Sequence, residues 1–152
     1  MNTEKFIYYV NCFLIIVFVF LADFISKKAI VSPDDVMVNS GLAFSLFKDN
    51  TLLVTIVSCI IILLVLIALV RIKNYFYAIP LCFIVGGGLG NVNERFINWP
   101  YYGRGAVTDF INYFGLFTGN VADIFIVLGG LGLVLNYIYV ASHKGLKNKS
   151  TD

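Results

Sequence analysis

No charged residue interrupts the run from Thr51 to Val70. About 20 consecutive apolar residues are what a helix needs to cross the hydrocarbon core of a bilayer. Arg71 and Lys73 close the run where a membrane surface would fall. A chain with one such span must arrange its remaining apolar stretches around the same slab, and three others fit it. Phe6 to Ala22 is apolar apart from Asn11, has no small-x-small cleavage site and continues into the helix-compatible DFISKKAI. It is expected to be the start of a helix over about 5–30 rather than a cleaved leader. The other spans are expected over 75–96, with Pro80 inside, and 120–141.

Composition agrees. Apolar residues make up 59% of the 152 positions and charged residues 13%, against about 25% charged in a soluble domain. A net charge of +2 with no basic cluster among the aromatics speaks against nucleic acid as a partner. Cys12, Cys59 and Cys82 are isolated in apolar runs, and the single His143 lies in the polar tail, so no metal site and no cofactor is expected.

The expected fold class is an all-α membrane protein of one integral domain, 1–152, with four transmembrane helices. Four spans put both termini on one side. Lys5, Arg71, Lys73, Lys144, Lys147 and Lys149 fall on that side, and Lys27, Lys28, Lys48, Arg95 and Arg104 on the other. Lys27 and Arg95 sit in polar motifs of their own, so the termini are placed in the cytoplasm. All the acids except Glu4 and Asp152 then lie toward the outer side. Of the outer segments, 31–50 carries VMVNSGLAF, expected to form a small hairpin around Ser40–Gly41. The other, 97–119, is rich in Trp and Tyr and is expected to be an interfacial loop or short helix. The tail 142–152 is polar and expected to lack order.

The acids at the membrane boundary are the chemical signal. Asp109 follows a short apolar run, and Asp123 opens the last span. Carboxylates there are costly to keep ionised and tend to be paired or functional. The residues alone leave two readings open: a working carboxylate pair, or two acids that cap helix starts. Asp23 and Lys27 are four apart on one helical face, as are Asn91 and Arg95, with Glu94 beside them. Asn120 and Asp123 are three apart, and Asn39 is the polar residue of the expected hairpin. Gly86 and Gly90 form G-x-x-x-G, and with Gly129, Gly130 and Gly132 they are expected to let helices approach closely.

In order, DFISK (23–27), NSGLAFS (39–45), GGGLGNVNER (86–95), VTDF (107–110) and NVAD (120–123) resemble the motifs of lipoprotein signal peptidase, or signal peptidase II, over nearly the whole chain. The resemblance implies an aspartic endopeptidase of the bacterial cytoplasmic membrane. Its substrate would be a prolipoprotein, cut before a cysteine carrying diacylglycerol, and its active site would lie at the outer leaflet. Asp109 and Asp123 match the family's catalytic pair. Asn39, Asn91, Arg95 and Asn120 match residues around its substrate pocket, and Asp23 and Lys27 its first-helix motif. Membrane lipid is the other expected partner, and the chain is expected to be a monomer. Three departures stand out. Glu94 replaces the usual Asp, and the segment between Lys27 and Asn39 is short for a full β-cradle. The Asp109–Asp123 spacing is also compact, which implies a reduced covering helix. A paralogue with altered substrate range, a non-catalytic scaffold and a carboxylate-based proton relay are the alternatives; the relay would call for charges deeper in the spans.

Overall fold

The computed structural model of the protein describes residues 2–29, 37–39, 50–102 and 105–149. Four long helices carry the fold: α1 (Thr3–Ala29), α2 (Thr51–Arg71), α3 (Tyr75–Tyr102) and α4 (Val121–Lys149). Each contains a stretch long and apolar enough to cross a membrane. Asparagines start three of them. Asn50 accepts from the Leu53 N–H at 3.1 Å, Asn74 from the Phe76 N–H at 2.9 Å and Asn120 from the Asp123 N–H at 3.1 Å. Each occupies one of the orphan donors a helix start leaves behind.

α3 is the centre of the bundle and packs against α1, α2 and α4. Its glycines make this possible. A Cβ on Gly86 would lie 2.7 Å from Cβ of Val19 on α1, and one on Gly88 would lie 2.9 Å from Ile62 on α2. On Gly87 it would lie 2.6 Å from the Ala122 carbonyl oxygen of α4. Gly129 returns the contact from α4, fitting against the Pro80 carbonyl and Ile84. Gly130, expected to do the same, faces open space. The buried residues of α1, namely Tyr8, Cys12, Val19 and Asp23, form one stripe at helical spacing against α3. Large apolar side chains on the other faces, Phe13, Phe18, Leu64 and Leu135 among them, are exposed. Such a surface suits lipid and not water.

Two helices are longer than the sequence reading had them. α3 continues past Phe96 to Tyr102, and its end is tied to the returning chain where the Asn98 amide donates to the Ala106 carbonyl at 3.0 Å. α4 continues beyond Ala141 through Lys149, so most of the tail expected to lack order is helical. Lysine is a good helix former and is favoured at the negative end of a helix dipole.

Among the described residues the rest of the expected interfacial loop holds three short strands: β2 (Val107–Asp109), β3 (Ile111–Tyr113) and β4 (Phe117–Gly119). The partner of β2 is β1 (Met37–Asn39), antiparallel, with Met37 opposite Asp109 and Asn39 opposite Val107. β1 thus pairs with a strand distant in sequence, and the hairpin expected around Ser40–Gly41 falls in residues 40–49, which lie outside the described set. Among the described residues β3 and β4 form a hairpin. Its turn places Phe114 at φ 55° and Gly115 at φ 77°, closed by the Leu116 N–H on the Tyr113 carbonyl at 3.0 Å. That geometry matches the twist of a hairpin.

The α3 contacts give a stability test. Gly87→Ala should lower stability by about 1–3 kcal/mol through overpacking, whereas Gly130→Ala, in open space, should change it little. Thermal unfolding of the two variants in detergent measures the difference.

Candidate active site

Four elements deliver polar side chains to one end of the bundle. α1 brings Asp23 and Lys27, α3 brings Asn91, Glu94 and Arg95, β2 ends on Asp109, and α4 opens at Asn120 and Asp123. Asp109 is 2% exposed and Asn120 is fully buried, so each requires partners.

Asn120 joins the two acids. Its side-chain amide donates to Oδ1 of Asp109 at 2.9 Å, and its backbone N–H donates to Oδ2 of Asp123 at 3.1 Å. With the reciprocal bond from the Asp123 N–H to Asn120 Oδ1, this is a capping box that uses aspartate as its acid. The capping role left open in the sequence is therefore seen at Asp123. One oxygen closes the cap, and the other, Oδ1, accepts from the Asn91 amide at 3.0 Å. A Cβ on Gly119 would sit 2.9 Å from Oδ2 of Asp123, so a side chain there would displace the carboxylate.

A second cluster lies behind the first. The Lys27 ammonium donates to Oδ2 of Asp23 at 2.8 Å and to Oδ1 of Asn91 at 3.0 Å, and it pairs with Oε2 of Glu94 at 3.0 Å. The other oxygen of Asp23 accepts from the Ala122 N–H at 2.9 Å, at the positive end of α4. Gly90 makes room for it, since a Cβ there would meet Oδ2 of Asp23 at 2.5 Å. Glu94 reaches from α3 to β2, accepting from both the N–H and the hydroxyl of Thr108. The buried Arg95 lies within electrostatic reach of Asp123, Asp109 and Glu94. Asp23 is held by Lys27 and the start of α4. A cavity of about 190 Å³ opens beside this cluster between Phe20, Phe24, Lys27, Glu94 and Ile97.

Every site residue read from the sequence reaches this end of the molecule except Asn39, which is described only by its strand position opposite Val107. Two participants were missed. In the sequence Thr108 stands out only as part of the V-T-D motif, because its partner Glu94 is 14 residues away. Tyr113 is, by sequence, one of the aromatics of the 97–119 segment. It stacks on Phe117 with ring centres 4.7 Å apart, and burial, with the charges of Asp123 and Asp109, holds its phenol above the ordinary tyrosine range.

Fold and site together define a multi-pass membrane protein with a carboxyl pair held at one end of its helices. The family described as Signal peptidase (SPase) II matches residues 15–139, and the chain belongs to that family. It is 30% identical over 131 residues to the lipoprotein signal peptidase of Streptomyces griseus, covering 86% of this chain and 61% of the relative. The counterpart from Bifidobacterium longum subsp. infantis is 30% identical over 116 residues, covering 75% and 63%. That of Streptomyces coelicolor is 33% identical over 99 residues, covering 64% and 48%. The chain thus spans about half to two thirds of the length of these curated relatives. A bacterial membrane enzyme solved in meso at 2.3 Å superposes with a TM-score of 0.65 at 24% identity, over 88% of this chain and 91% of the other. A second, solved at 1.9 Å, gives 0.56 at 25% identity, over 82% and 90%.

The Tyr113 environment predicts a titration. A phenolate beside Asp123 and Asp109 is disfavoured, so Tyr113 should stay neutral to a higher pH than an exposed tyrosine. Asp123→Asn removes one of these charges and should move the titration down. Tyrosinate absorbance, taken as the difference from Tyr113→Phe, reads it in both backgrounds.

Proposed function

We propose that the chain is an aspartic endopeptidase that removes signal peptides from prolipoproteins, with Asp109 and Asp123 as its catalytic pair. The observation that carries this reading is the shared hold of Asn120 on both carboxyl groups. It puts two acids from different elements, β2 and α4, within reach of one small group. Membership of the signal peptidase II family supplies the class of substrate.

The chemistry follows from charge. Lys27 and Arg95 face Asp23, Glu94, Asp109 and Asp123. Two cations against four carboxyl groups leave an excess of negative charge, which a proton shared between the two acids relieves. The ionised member takes a proton from a water molecule, and that water attacks the scissile carbonyl. The protonated member donates to the carbonyl oxygen, and the pair then returns a proton to the leaving amine. Water must reach the acids, which fits a site at the outer leaflet of the bacterial cytoplasmic membrane with both termini in the cytoplasm. The substrate's diacylglycerol would lie against the lipid-facing helices, and cleavage would fall before the cysteine that bears it. One copy of the chain carries every group used.

Asp109→Asn and Asp123→Asn should each lower cleavage of a diacylated precursor peptide in detergent by at least about a hundredfold, the scale of general acid–base catalysis, with thermal stability near wild type. Cleavage at the wild-type rate by either variant would falsify the pair. Proton flux without cleavage would point to a relay, and neither activity to a scaffold.

A further inference from the structure

The ammonium of Lys27 touches neither Asp109 nor Asp123, yet its contacts lead to both. It has three hydrogens, and three acceptors surround it: Asp23, Asn91 and Glu94. From the geometry we infer that Lys27 is a positioning residue for both proposed catalytic acids, acting on Asp123 through Asn91 and on Asp109 through Glu94 and Thr108. The inference rests on the carboxyl-pair reading above and adds how that pair is set.

The first arm is a matter of amide orientation. An ammonium can only donate and an ionised carboxylate can only accept. Asn91 lies between one of each, with Oδ1 3.0 Å from Lys27 and Nδ2 3.0 Å from Asp123. Turned over, the amide would set N–H against ammonium and oxygen against carboxylate. Lys27 therefore fixes which end of Asn91 faces Asp123, and with it the direction of the hydrogen bond that Asp123 receives.

The second arm is a clamp on the backbone. Glu94 takes the N–H of Thr108 at 3.1 Å and the Thr108 hydroxyl, and Lys27 holds the same carboxylate from the α1 side at 3.0 Å. Thr108 immediately precedes Asp109 in β2. With its N–H and side chain both held, the strand has little freedom to twist, and the next side chain inherits that restraint. Glu94 is one methylene longer than the acid usual in its family motif, and here it spans from α3 to both Lys27 and β2.

The experiment measures kcat, KM and the pH dependence of kcat on a diacylated precursor peptide, with Asp109→Asn as the reference for loss of the pair. Lys27→Met should lower kcat by about tenfold to a hundredfold, the scale of one or two charge-assisted hydrogen bonds. KM should stay within about twofold of wild type, as expected when only the reacting geometry is disturbed. The acid limb of its pH profile should move up, because a cation near the pair is lost. Thr108→Val, which removes only the hydroxyl, should lower kcat by about tenfold, and Thr108→Ser should recover most of it. A combined Lys27→Met/Thr108→Val variant should fall short of the product of the two effects, since both act through Glu94. Should Lys27→Met fail to fold, the Thr108 pair decides the Asp109 arm by itself. Wild-type kcat and pH profile in Lys27→Met and Thr108→Val, with Asp109→Asn inactive, would overturn the positioning role and leave the pair standing. An active Asp109→Asn would remove the pair itself, whatever Lys27 does.

Discussion

The site exists because α3 and its neighbours come closer than side chains ordinarily permit. At Gly87 the backbone of α4 is so near that a methyl group would lie 2.6 Å from a carbonyl oxygen, and at Gly90 the same is true of the Asp23 carboxylate. Without these approaches Asn91 could not reach Asp123, nor could the Ala122 N–H reach Asp23. In lipid, apolar helices gain little from one another by the hydrophobic effect, and contact rests on close packing and polar bonds. Here the two are the same device. The glycines admit the helices, and the polar groups meet where the glycines let them.

That economy also answers how so many charges are tolerated. An isolated ion at membrane depth costs several kcal/mol. Lys27 is surrounded by acceptors, Asp23 is shared between an ammonium and a helix N-terminus, and Arg95 stands among acids. Asp123 combines two tasks usually given to separate residues, starting α4 with one oxygen and accepting the Asn91 amide with the other. Breaking one member therefore leaves others exposed to the same low dielectric.

Much of this was legible in the sequence, and the reason is locality. A charge-free run, a four-residue spacing or an Asn-x-x-Asp at a helix start is written in adjacent letters. The spans, the Asp23–Lys27 pair and the grouping of Asn91, Arg95, Asn120 and Asp123 could be read that way. What could not be read depends on distant partners. β1 pairs with a strand some 70 residues on, which no local pattern near Ser40–Gly41 announces. Thr108 has an ordinary strand sequence around it, and its importance lies in Glu94. The β3–β4 turn uses Phe-Gly where Asn-Gly or Asp-Gly would have signalled it. The continuation of α3 to Tyr102 is accompanied by a tertiary bond from Asn98 that its own sequence does not reveal.

Phe114 raises a different matter. It is a non-glycine residue at positive φ, and its ring is 98% exposed, next to a Leu116 that is 82% exposed. Both conditions are unfavourable for the chain by itself. Asparagine would suit the backbone better and water better, so a ring at this tip is not there for the sake of folding. Where local stability and local sequence disagree, the benefit has to be sought outside the polypeptide, in whatever the tip of the hairpin meets.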